Sequence, residues 1–167
     1  PGYQDTTSVA DTGSQADLQS WKIHLKRRIL VGATTAQELR SPAGRQLYIE
    51  DESLWHFTVK ASCFITDDAS TEVGAGGSSI TWEASGTYSR DGTLSRLVIA
   101  GGAGDVSPNV IAEHSRDVNP TNLASAVFDV RRTNGTNPVL GFYVTNTTVP
   151  EDLHCSAEVA VVERRNP

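Results

Sequence analysis

Trp55-His-Phe-Thr-Val-Lys-Ala-Ser-Cys-Phe-Ile65 alternates without a break: Trp55, Phe57, Val59, Ala61, Cys63 and Ile65 fall on one side, and His56, Thr58, Lys60, Ser62 and Phe64 on the other. A strict period of two places successive side chains on opposite faces of a strand, so this stretch predicts a β-strand with one face in a core. Ile80, Trp82, Ala84, Gly86 and Tyr88 repeat the pattern against Thr81, Glu83, Ser85 and Thr87. Arg90-Asp-Gly92 then reads as a tight turn, because Asp-Gly tolerates the positive φ of primed hairpin turns, and 94–99 as the returning strand.

Further strands are expected at 21–25, 47–49, 123–130, 139–144 and 155–162, with the first pattern running over 54–65 and the second over 80–88. Helical periodicity is nearly absent. Thr35 followed by Glu38 predicts a single capped turn that ends at Ser41-Pro42. Short strands separated by Gly, Pro, Asn and Asp clusters predict an all-β fold: an antiparallel β-sandwich of jelly-roll type with an extended N-terminal arm. The arm is residues 1–20, which carry no Lys or Arg, and the sandwich is residues 21–167. Segments 67–79 and 101–120, rich in Gly, Ser and Asn, read as loops at the sandwich ends.

The chain has 167 residues, enough for one domain that folds without covalent staples. Its net charge of −6 argues against a nucleic-acid footprint, which needs Lys and Arg gathered on one face. One basic run stands out. On a strand, Lys22, His24, Lys26 and Arg28 share the face opposite Trp21, Ile23 and Leu25, either as a solvated face or as a contact for an acidic partner. Absence of an apolar signal or membrane-length run points to a reducing compartment. Cys63 and Cys155, both inward by alternation, are therefore read as two buried free thiols in preference to a disulfide. Asn134-Gly-Thr136 and Asn146-Thr-Thr148 read as turn chemistry. The start Pro1-Gly2 with no Met anywhere is read as a complete product with its initiator trimmed.

Chemical motifs are weak. Gly74-Ala-Gly-Gly77 lacks the helix and Lys of a phosphate loop, the four histidines have no zinc spacing, and Asp67, Asp68 and Glu72 do not form a calcium loop. Glu83 and Asp129 are the one carboxylate pair weighed for glycoside hydrolysis. No enzymatic activity, metal or cofactor is expected.

Three stretches carry a resemblance: Leu30-Val-Gly-Ala-Thr-Thr-Ala-Gln-Glu-Leu39, Arg45-Gln-Leu-Tyr-Ile-Glu-Asp-Glu-Ser-Leu-Trp-His-Phe-Thr-Val-Lys-Ala-Ser62 and Ser85-Gly-Thr-Tyr-Ser-Arg-Asp-Gly-Thr-Leu94. With Val139-Leu-Gly-Phe-Tyr-Val-Thr-Asn146 and His154-Cys-Ser-Ala-Glu-Val-Ala-Val-Val-Glu163, they resemble a β-sandwich domain of tailed-bacteriophage virion proteins. That family occurs at tail-fibre tips, where it binds host surfaces, and in proteins that decorate the capsid exterior, commonly as trimers. The sequence departs from the fibre pattern in having only an arm in place of a long stem. His154 and Cys155 also stand where fibre relatives often have Trp.

The resemblance therefore implies a capsid decoration (cement) protein on the virion exterior, made in the host cytoplasm. Its partners would be the major capsid protein and two sister copies, with no nucleic acid and no membrane. The arm could reach on the order of 60 Å if extended, with Asp5, Asp11 and Asp17 facing basic groups and Lys22, Lys26 and Arg28 facing acidic ones. Phe64 and Val127 are candidates for a subunit interface. The alternative is a tail-fibre or tail-tip receptor-binding protein that stacks host glycans near Trp82, Tyr88 and Tyr143.

Overall fold

The computed structural model describes residues 7–9, 18–30, 35–65, 79–117, 126–146 and 152–165. In chain order the strands are β1 Thr7–Val9, β2 Leu18–Ile29, β3 Gln37–Glu38, β4 Leu47–Tyr48, β5 Ser53–Ile65, β6 Ser79–Asp91, β7 Leu94–Ile99, β8 Asn109–Ile111, β9 Glu113–Asp117, β10 Ala126–Arg132, β11 Val139–Asn146 and β12 Leu153–Arg165. They build two antiparallel sheets. The seven-stranded sheet has the order β1-β2-β12-β5-β6-β7, with β9 pairing the free half of the β6 edge. The five-stranded sheet runs β3-β11-β10-β8, with β4 also on β11.

Alternation selects what lies between the sheets. Phe57 on β5 meets Phe142 on β11 edge-on at 6.1 Å, and Trp82 on β6 stacks on Phe128 of β10 at 5.6 Å. These contacts identify an antiparallel sandwich. β5, β6 and β7 run on as a meander inside one sheet, so the strand order does not single out the jelly-roll connection. Gly86 lets β7 lie close against β6 within the sheet, since a Cβ there would collide with the Val98 carbonyl oxygen and lie 3.1 Å from the Phe57 ring. Gly92 takes φ +61° at the first position of the two-residue turn between Asp91 and Leu94, where a primed hairpin turn needs it.

Three expectations are corrected. Residues 35–38 form no helical turn: Gln37 and Glu38 pair with Val144 and Tyr143 of β11. One turn fixes several dihedrals for a single hydrogen bond, whereas an open sheet edge offers ready partners. Leu39 then donates to the Phe142 carbonyl at 2.7 Å and Arg40 bridges Lys26 of β2, so this short segment ties the two sheets together. Within 101–120, expected as a loop, the chain forms β8 on β10 and β9 on β6.

The third correction concerns the cysteines. Cys63 and Cys155 stand directly opposite in the β5–β12 register, with Cα atoms 4.1 Å apart, and are joined as a disulfide. Register across 92 residues of sequence, not local pattern, brings them together. The step from a reducing compartment to free thiols therefore fails. β1 pairs the start of β2, Thr7 opposite Ser20, so strand pairing reaches into residues 7–9 and 18–20.

Candidate functional site

Lys22, Lys26 and Arg28 lie on the solvent face of β2, as the alternation predicts. The register turns that strip into cross-strand rows on the outer face of the seven-stranded sheet. One row is His24, Glu158, Lys60 and Glu83; the next is Lys26, Ser156, Ser62 and Thr81; the third is Arg28, His154, Phe64 and Ser79. From Glu158 through Lys60 to Glu83 the charges alternate in sign, which is the favourable arrangement for directly opposed side chains. Lys60 reaches Glu83 at 3.1 Å, and Lys22 reaches Glu158 at 3.0 Å. The Lys22 hydrogen bond, with its charge, holds the Glu158 carboxyl below the usual carboxylate range. Arg28 bonds Asp152 through Nη2 at 2.6 Å and Nε at 2.7 Å. Lys26 has no carboxylate partner among the described residues. Solvent-exposed pairs of this kind contribute about 0.2–1 kcal/mol each, so they orient these side chains more than they stabilise the fold.

The outer face of the five-stranded sheet carries a polar cluster that sequence reading missed. Glu38, Tyr143 and Asp129 are neighbours across β3, β11 and β10. Asp129, buried under its neighbours, accepts from Arg131 Nε at 2.7 Å and Nη2 at 2.9 Å. That same guanidinium lies 4.6 Å over the Tyr143 ring, and the ring in turn covers Gly141, where a Cβ would approach it to 2.5 Å. The hydrogen bonds that Arg131 donates to Asp129 raise the Arg131 pKa, and burial together with Glu38 raises that of Tyr143. Glu38 accepts from Arg40 at 2.9 Å and from Gln46 at 3.3 Å. Asp129 and Glu38 are thus each paired with a guanidinium, Arg131 and Arg40 respectively. Nothing in the local pattern announces this, because Glu38 and Asp129 become neighbours of Tyr143 only through strand pairing.

Some of the other predicted residues fall where their proposed roles fail. Glu83 is on the outer face of one sheet and Asp129 on the outer face of the other, so they cannot flank a single glycosidic bond. Trp82 and Tyr88, proposed to stack on sugars, are 1 % and 0 % exposed and belong to the core. Tyr143 is half-buried beneath Arg131. Phe64 is exposed and Val127 half-buried, both facing away from the core as the alternation predicts, on opposite sheets. Asp5, Asp11 and Asp17 of the arm, the glycines 74–77 and Asp67, Asp68 and Glu72 lie outside the described residues. Asn134 accepts from the Ser95 amide and hydroxyl and from Arg132, in keeping with turn chemistry. Among the described residues no group of three or more His, Cys, Asp or Glu could hold a metal ion.

No family model matches the chain, and no curated protein does. Among solved structures, a tailspike protein gp49 from Acinetobacter baumannii bacteriophage Fri1, a capsular polysaccharide depolymerase, is similar at a TM-score of 0.37 and 11 % identity. The similarity covers 95 % of this chain and 19 % of that one, so this chain spans under a fifth of the tailspike's length.

Proposed function

We propose that the protein is a structural component of a tailed-bacteriophage virion, a capsid decoration (cement) protein that binds and stabilises the outer surface of the shell as a homotrimer. The observation that supports this best is where the family-like stretches fall. Residues 45–62 supply β4 and most of β5, 85–94 supply the second half of β6 and the turn into β7, 139–146 are β11, and 154–163 are most of β12. The resemblance thus coincides with the paired frame of the sandwich. In this reading Lys22, Lys26 and Arg28 meet acidic groups of the major capsid protein, while Asp5, Asp11 and Asp17 of the arm meet basic ones.

Shells stripped of the protein and then reloaded should gain resistance to heat and low salt. A variant lacking residues 1–20 should bind them more weakly; undiminished binding by that variant would remove the arm from the contact. A receptor-binding role at a tail tip is the second reading, and one observation favours it: an aromatic ring, Phe64, stands 44 % exposed on a face that also carries cations.

A further inference from the structure

The rings of Phe64 and His154 lie side by side on the outer face of the seven-stranded sheet, centroids 5.5 Å apart and planes tilted by 30°. The chain sends Trp55, Phe57, Trp82, Tyr88, Phe128 and Phe142 inward. Phe64 is therefore a large aromatic that folding leaves in water, where burial would have gained about 1.5–3 kcal/mol. The two rings line a concavity of about 510 Å³ that Lys26, Arg28, Pro42 and Ser156 also border. A second concavity of about 410 Å³ adjoins it, sharing Lys26, Pro42 and Ser156 and continuing to Lys60 and Ser62. Each is of a size that holds a small ligand.

The trough is mixed in charge, with Glu158 at its far end paired to Lys22, and its cationic end is the one beside the two rings. Aromatic faces receive the C–H face of a sugar ring. The hydroxyls of Ser62 and Ser156 hydrogen-bond each other at 3.3 Å and are of the kind that exchanges hydrogen bonds with sugar hydroxyls. Lys26 lacks a carboxylate partner among the described residues, and Arg28 keeps donors beyond its Asp152 contact, since a guanidinium has five N–H groups. A chain with a net charge of −6 has here placed two cations, Lys26 and Arg28, at one end of one face. We infer that this trough binds an acidic saccharide, its ring against Phe64 and His154 and its carboxylate between Lys26 and Arg28. The site does not depend on whether the module sits on the head or the tail, so its failure would leave the decoration reading intact, and the reverse.

The full chain, isotopically labelled, is titrated with an oligogalacturonate, with the same oligomer fully methyl-esterified, and with a single-stranded oligonucleotide of equal charge. Saturable amide shifts centred on 60–64 and 154–158 with the acidic oligomer are expected. Affinity should fall about tenfold or more in Lys26→Glu, as loss of a charged hydrogen-bond partner does, and about tenfold in Phe64→Ala through loss of the ring contact. The ester should bind correspondingly weaker. Both side chains are exposed, so the variants should keep the parent's thermal midpoint, and the footprint on the unmodified chain stands without them. No shifts at millimolar oligomer, shifts centred elsewhere, equal binding of the ester, or tighter binding of the oligonucleotide would each overturn the assignment.

Discussion

Reduction of the Cys63–Cys155 disulfide should lower stability by several kcal/mol. The bond closes a loop of sequence separation 92. In the chain-entropy treatment such a loop removes about 15 to 16 cal/mol/K from the unfolded ensemble, or about 4.6 kcal/mol at 25 °C. Both sulfurs sit in the core, at 1 % and 3 % exposure, where the thiols of the reduced pair can still pack as small hydrophobes. The loss should therefore come mainly from the unfolded state. For a chain of this size 1 kcal/mol shifts the thermal midpoint by about 2–4 °C, which puts the expected fall at about 10–18 °C. Urea unfolding of the oxidised protein, of the protein under reductant and of the double variant Cys63→Ala/Cys155→Ala measures it. Alkylation in denaturant without reductant should add no label. Two labels on the unreduced protein, or coincident urea midpoints with and without reductant, would refute the reasoning.

Other perturbations report on the sandwich. Phe142 is fully buried and touches both Phe57 and Phe128, so Phe142→Ala should cost about 3–5 kcal/mol by chemical denaturation. Gly86→Ala forces a methyl against the Val98 carbonyl and the Phe57 ring and should cost about 1–3 kcal/mol, read by the same assay. Burial alone would raise the pKa of Asp105, but the Leu97 amide at 2.8 Å and the Arg132 and Arg96 guanidinia outweigh it and hold the carboxyl below its ordinary range. A carboxylate with a lowered folded-state pKa contributes stability above its unfolded value of about 3.9, and that contribution disappears as pH falls through the folded value. Wild type should accordingly lose more stability than Asp105→Asn between about pH 5 and pH 2, measured as urea midpoints across that range.

Strand content was legible because alternation is local. The runs at 54–65, 80–88, 94–99 and 139–144 need only their own residues to show which face is buried, and β5, β6, β7 and β11 cover them. What escaped depends on pairing. Glu38 reads as a helix-capping residue until β11 is placed beside it, and Val110 and Ile111 are too short an alternation to announce β8. The disulfide was obscured by an inference about compartment, although both cysteines had been placed on inward positions that the register then aligned. Trp82 and Tyr88 show the converse: aromatic character suggested recognition, while their positions in the alternating set had already sent them to the core. The basic strip of β2 was readable from sequence, but its neighbours Phe64 and His154, from β5 and β12, were not.

The decoration account turns on stoichiometry in the particle. Quantitative mass spectrometry of purified virions, separated into heads and tails, gives the molar ratio of this chain to the major capsid protein. The account predicts recovery with heads, in a fixed ratio to the capsid subunit that rises and falls with shell size. Recovery with tails, in a small number that ignores shell size, would contradict it.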